Sequence, residues 1–140
     1  EVGALVQAAA GRNAVPVTLE LGGKSPQLVF DDADLDRALP FLVNAGLQNA
    51  GQTCSAGSRV LVQRAVYDEV VERMAERYRA LVAGPALADR DLGPVISGRQ
   101  RDRVRGFIDR AKAAGVTAVA EGRIAEDAPA GGWYVAPVLF

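Results

Sequence analysis

Val66-Tyr67-Asp68-Glu69-Val70-Val71-Glu72-Arg73-Met74-Ala75-Glu76-Arg77-Tyr78-Arg79-Ala80-Leu81-Val82 reads as one amphipathic helix. Tyr67, Val70, Val71, Met74, Tyr78, Leu81 and Val82 follow the 3.6-residue period and make a continuous apolar stripe. Arginines and glutamates fill the opposite face, and Gly84-Pro85 ends the pattern. Just upstream, Arg59-Val60-Leu61-Val62-Gln63 alternates as a strand does. A strand followed at once by a helix is the repeating unit of an α/β fold, and the rest of the chain can be tested against that unit.

The pattern extends in both directions. Towards the N-terminus, residues 2–10 place Val2, Leu5, Val6 and Ala9 on one helical face, and Gly11 to Asn13 stop it. Val15 to Leu19 reads as a strand with Pro16 near its start, and Gln27 to Phe30 as a second, buried one. Asp31, Asp32 and Asp34 supply the cap and first-turn acids of a helix carried by Leu35, Ala38, Leu39 and Leu42. Pro40 is expected to bend or break that helix. Residues 48–57 show no period. Towards the C-terminus, Asp89 to Gly98 is loop, and a helix from Gly98 to Ala114 rests on Val104, Phe107, Ile108 and Ala111. Val116 to Ala120 reads as a strand, residues 121–132 as loop, and Trp133 to Phe140 as one or two short strands around Pro137. Strands alternating with helices predict one α/β domain whose sheet is largely parallel and flanked by helices.

Composition narrows the function. The chain has 140 residues, 49% hydrophobic and 24% charged, with a net charge of -1. That balance gives no electrostatic reason to expect a nucleic acid or an anionic membrane as partner. No apolar run approaches the roughly 20 residues of a membrane span, and the first residues lack a signal-peptide pattern. One cysteine excludes an intrachain disulfide and any multi-cysteine zinc site, so no metal site is expected, and a reducing, cytoplasmic setting is. A helical pattern from Glu1 onward and an apolar run up to Phe140 suggest a piece of a longer protein.

The single cysteine lies in Gly51-Gln52-Thr53-Cys54-Ser55-Ala56-Gly57-Ser58. A lone cysteine can be a small buried hydrophobe. Here small and polar neighbours leave room for a substrate, and backbone N–H groups at such a corner can bind a developing oxyanion. The chain has no histidine, so a nucleophilic Cys54 would need a carboxylate for its proton chemistry. Glu20, in Leu19-Glu20-Leu21-Gly22-Gly23-Lys24-Ser25-Pro26, is the candidate. It reads either as a solvated side chain of an alternating strand or as a general base beside mobile glycines. Gly23-Lys24-Ser25 looks like the end of a phosphate-binding loop, but Thr18 stands where that loop needs glycine. The acidic cluster from Asp31 to Asp36 is explained by helix capping, and the arginines of residues 99–110 by a solvated helix face.

Taken together, the stretches around Glu20 and Cys54 resemble the two signature motifs of the NAD(P)-dependent aldehyde dehydrogenase superfamily, in that family's order and spacing. Glu1-Val2-Gly3, Asp32-Ala33-Asp34-Leu35-Asp36, Leu92-Gly93-Pro94 and Tyr134 to Phe140 also resemble family segments. The resemblance implies that Cys54 attacks an aldehyde and Glu20 activates the water that hydrolyses the resulting thioester. It implies that Leu21 and Gly22 lie beside the nicotinamide of NAD or NADP, that Glu1, Val2 and Gly3 form the first turn of a cofactor-facing helix, and that Gln100 reaches a cofactor ribose. It further implies a small aldehyde substrate and a homo-oligomeric parent protein. Residues 1–140 would then be part of the catalytic domain, with the cofactor-binding and oligomerisation parts outside them, and inactive alone. Two other readings use the same residues: a non-catalytic module that kept the fold, and a thiol acyl hydrolase without cofactor.

Overall fold

The computed structural model describes residues 1–140. Its order is α1 (Val2–Arg12), β1 (Pro26–Val29), α2 (Leu35–Leu47), β2 (Arg59–Val62), α3 (Tyr67–Ala80), β3 (Val82–Ala83), α4 (Gly98–Ala113), β4 (Ala120–Glu121), β5 (Arg123–Ile124) and β6 (Val138–Leu139). The α/β class is as the sequence implies. The strands form three separate two-stranded ladders rather than one continuous sheet. β1 pairs with β2 and β3 with β5, both parallel, whereas β4 and β6 run antiparallel. No helix is long and apolar enough to cross a membrane.

The core lies where α2 and α3 pack over these ladders. It consists of Val29, Leu35, Leu39, Leu42, Val43, Val70, Met74, Ala75, Tyr78 and Ala120. Val70 is 0% and Leu39 2% exposed, the two largest side chains fully removed from water. The stripe that predicted α3 is the stripe that reaches this core, through Val70, Met74 and Tyr78. Asp34 caps α2, its Oδ1 accepting from the Arg37 amide at 3.2 Å. Across the two helices, Arg73 on α3 binds Asp36 at the start of α2 and Glu69 one turn back on its own helix. These two acids hold the Arg73 guanidinium above its ordinary pKa, with the hydrogen bond it donates to Asp36 as the largest cause. On α4 no residue is buried, and Phe107, expected on its apolar face, is 58% exposed and flanked by Arg110 and Arg103 at 4.5 and 6.0 Å.

Several sequence expectations are corrected. α2 runs through Pro40 without ending. Pro40 sits on the exposed side, so the carbonyl that loses its amide partner can be solvated. Val15 to Leu19 forms no strand. Its burial alternates, with Val17 and Leu19 half-buried between exposed neighbours, but no second backbone runs beside it, and a strand needs that ladder. The predicted strand over 116–120 shrinks to Ala120–Glu121, and the predicted loop after it contains β5. Val82 leaves the helix and joins β3. Residues 133–140 keep one two-residue strand.

The apolar stripe predicted for α1 faces out: Leu5 is 68% exposed, and only Gly3 and Ala10 are buried. These two small residues let the returning segment lie close, with Leu21 and Leu19 against Gly3. The whole chain exposes 9534 Å², where a self-contained protein of its mass exposes about 6,900 Å². Much apolar surface, including Phe41 at 75%, is therefore uncovered.

Tyr78 gives the core a pH limit. Burial raises its phenol pKa, because the pocket disfavours the phenolate. Below about pH 10 the phenol is neutral folded and unfolded, and its contribution is complete. Above that the unfolded chain ionises first, so stability falls until the folded pKa is passed. Urea unfolding between pH 8 and 11 is expected to show this alkaline loss, with a shallower slope in Tyr78→Phe.

Candidate active site

The parallel ladder decides where the two motifs meet. Pro26 stands opposite Arg59, and Gln27, Leu28 and Val29 stand opposite Val60, Leu61 and Val62. Both strands therefore start at the same edge, and the loops that enter them, 20–25 and 54–58, share that edge. The contact is close. A Cβ added to Gly23 would sit 3.1 Å from the Cys54 carbonyl oxygen. The Arg59 amide donates to the Ser25 carbonyl at 3.4 Å, and Arg59 Nε donates to the Lys24 carbonyl at 2.9 Å.

The Cys54 loop is an arch with two anchored ends. Downstream, the Gly57 amide donates to the Ala45 carbonyl near the end of α2 at 2.8 Å, and Ala56 and Gly57 are buried. Gln27 on β1 reinforces this end. Its Nε2 donates to the carbonyls of both Leu42 and Gly57, each at 2.9 Å. A Cβ on Gly57 would come within 2.7 Å of that amide, so only glycine fits without displacing it.

Upstream, a short 3-10 turn over Gln48–Gly51 carries Asn49, Ala50 and Gly51 all in the left-handed region, at φ 53, 54 and 75°. Each such non-glycine residue costs about 1–2 kcal/mol, so the turn needs support. Gln52 supplies it: its backbone amide and its Nε2 donate to the Asn49 carbonyl at 3.1 and 2.9 Å, and its Oε1 accepts from the Ile96 amide at 2.9 Å. Thr53 Oγ1 donates to the Gln48 carbonyl at 3.3 Å. Between the two ends Cys54 and Ser55 are exposed, and the thiol is free.

Glu20 is exposed on the irregular stretch before β1, and its carboxylate takes no hydrogen bond or ion pair. The exposed state matches the solvated reading as well as the general-base one. Gly3 is buried under Leu21, whose Cδ1 would lie 2.9 Å from a Cβ there. So the structure brings Gly3 together with Leu21, and Gly23 together with Cys54. Glu1 makes no side-chain cap at the start of α1, where Val2 is exposed and Gly3 buried. Leu21, 54% exposed beside them, offers an apolar surface to a flat ring. Gln100 lies on the first turn of α4, where its backbone amide donates to the Ser97 Oγ cap and its side chain makes no hydrogen bond. Gln27 and Gln52 had no role in the sequence reading. The only signal for them was a polar residue at the inward-alternating position of a strand and an amide within a glycine-bounded turn.

A sequence model described as the aldehyde dehydrogenase family matches residues 1–140. The chain belongs to that family. A crystal structure of a protein assigned as an aldehyde dehydrogenase from Burkholderia cenocepacia is 56% identical over 97% of this chain, with a TM-score of 0.95. That alignment takes in 29% of the Burkholderia chain. Betaine aldehyde dehydrogenase from Staphylococcus aureus, in complex with NAD+, is 37% identical over 98% of this chain and 28% of its own, at a TM-score of 0.86. An aldehyde dehydrogenase from Bacillus cereus, also an NAD+ complex, is 35% identical with the same coverages and TM-score. The chain thus spans less than a third of the length of these structures.

The two glycines after Glu20 separate cleanly. Nothing lies within 4 Å of a Cβ on Gly22, whereas one on Gly23 presses on the Cys54 backbone. Gly22→Ala is expected to change stability by less than about 0.5 kcal/mol, and Gly23→Ala to cost about 1–3 kcal/mol, measured by urea unfolding.

Proposed function

We propose that residues 1–140 are part of the nucleophile-bearing domain of an NAD(P)-dependent aldehyde dehydrogenase that oxidises an aldehyde to a carboxylic acid. The observation that carries this reading is the in-register parallel pairing of β1 and β2, which holds the Glu20 and Cys54 loops at one edge. Family membership and the exposed, free thiol support it. The NAD+ complexes of the Staphylococcus and Bacillus relatives support NAD as cofactor.

The Cys54 thiolate adds to the aldehyde carbon and forms a thiohemiacetal, whose oxyanion the Cys54 backbone N–H stabilises. A bound nicotinamide supplies the hydride acceptor. Loss of that hydride leaves a thioester on Cys54. Glu20 then takes a proton from water, the water oxygen adds to the thioester carbon, and the carboxylic acid departs as the C–S bond breaks. Cys54 leaves as the thiolate, and Glu20 releases its proton to solvent before the next turnover. The first turn of α1, at Val2 and Gly3, would face the cofactor, Glu1 would border it, and Leu21 with Gly22 would lie against its ring. Gln100 is assigned a ribose contact on the resemblance alone. A cytoplasmic, homo-oligomeric parent protein, with further segments completing the cofactor site, fits the chain's single cysteine and its uncovered apolar surface.

In the whole protein, Cys54→Ala is expected to lower aldehyde-dependent NADH formation about a thousandfold or more. Glu20→Gln is expected to slow steady turnover about a hundredfold while keeping a first-turnover burst of NADH. Full activity in both variants would leave only a non-catalytic module, and acyl transfer without cofactor would identify a thiol hydrolase. Residues 1–140 expressed alone are expected to form no NADH above background in the same assay.

A further inference from the structure

We propose that Gln52 is a positioning residue for Cys54, acting through the left-handed turn that precedes the thiol; this rests on the reading of Cys54 as the nucleophile. The turn over Asn49, Ala50 and Gly51 sets the direction in which the chain enters the Cys54 arch. Two of its three residues carry a Cβ in a conformation that disfavours one, so the turn stays in place only while something holds it.

The Gln52 side chain is built into that hold with both ends of its amide used. Nε2 donates to the Asn49 carbonyl inside the turn, and Oε1 accepts from the Ile96 amide outside it, both at 2.9 Å. The partners fix the orientation of the amide, since a carbonyl only accepts and a backbone N–H only donates. Ile96 is no loose tether. The neighbouring Val95 amide donates to the Trp133 carbonyl at 2.9 Å, and Ser97 caps α4, its Oγ accepting from Gln100 at 3.2 Å. Gln52 thus references the turn to a segment pinned on both sides. On the other side of Cys54, Gly57 is bonded to α2 and to Gln27. With both ends of the arch anchored, Cys54 has little freedom to drift. A misplacement of about 1 Å at a reacting atom can cost about a hundredfold in rate, so releasing the upstream end is expected to slow the chemistry.

The test uses the whole protein with propanal and NAD+. Gln52→Ala is expected to lower kcat about 10- to 100-fold while the KM for NAD+ and the melting transition stay near those of the parent. Gln52→Glu separates positioning from bulk. Its carboxylate still accepts from Ile96 but sets an oxygen against the Asn49 carbonyl, whereas its protonated form restores the donor. Its kcat relative to the parent is therefore expected to rise as pH falls towards the carboxyl range, about 4 to 5. A parent-like kcat in Gln52→Ala, with Cys54→Ala inactive, overturns the positioning role and leaves the nucleophile in place. If Gln52→Ala fails to fold, a pH-independent ratio for Gln52→Glu overturns it instead. Full activity of Cys54→Ala overturns both the nucleophile and the role built on it.

Discussion

The parallel pairing of β1 with β2 is the constraint on which the rest depends. A parallel pair cannot be closed by a tight turn, so the chain must leave Val29, cross through α2 and return at Arg59. That crossover buries the α2 face of Leu35, Leu39 and Leu42 against α3. It also brings the segments entering the two strands to the same edge. Side-chain packing of α2 and α3 and the placement of the two loops are thus consequences of a single ladder.

The loops themselves are held mainly by main-chain groups and side-chain amides. Gly23, Gly46 and Gly57 mark where backbones approach most closely: a Cβ on Gly46 would lie 3.3 Å from the Gly57 carbonyl oxygen. Gln27 then satisfies the part-buried carbonyls of Leu42 and Gly57, and Gln52 the exposed carbonyl of Asn49. Neutral amides suit the purpose. They stay bonded across the pH range in which a thiol and a carboxylate change charge, and they add no competing charge beside the thiol.

Much of this was legible from the residues because periodicity reports burial. The stripe of α3 and the capping role of Asp34 are local properties, and both stand in the structure. The reading of Val15 to Leu19 failed for a non-local reason: alternation shows which side chains face in, but cannot supply the neighbouring backbone that makes a strand. The stripe of α1 failed likewise, because its apolar face has nothing in this chain to cover it. At the site, the types and spacing of Glu20 and Cys54 pointed to chemistry, and their loops share an edge. The work of Gln52 was illegible. It rests on a bond to Ile96, remote in sequence, and on a left-handed turn whose Ala50 gives no compositional warning.

The β1–β2 register also bears on how such a chain can tolerate changes in length. Residues inserted among Asp31 to Asp34, between Val29 and the start of α2, lengthen the crossover but leave every rung from Pro26↔Arg59 to Val29↔Val62 in place. One residue inserted within β1 slips the ladder and turns Val29 out of the core. Loop spacing counted along the chain can therefore drift in homologues while the spacing across the ladder stays constant. In comparing members of the family, rungs are a steadier ruler than residue counts.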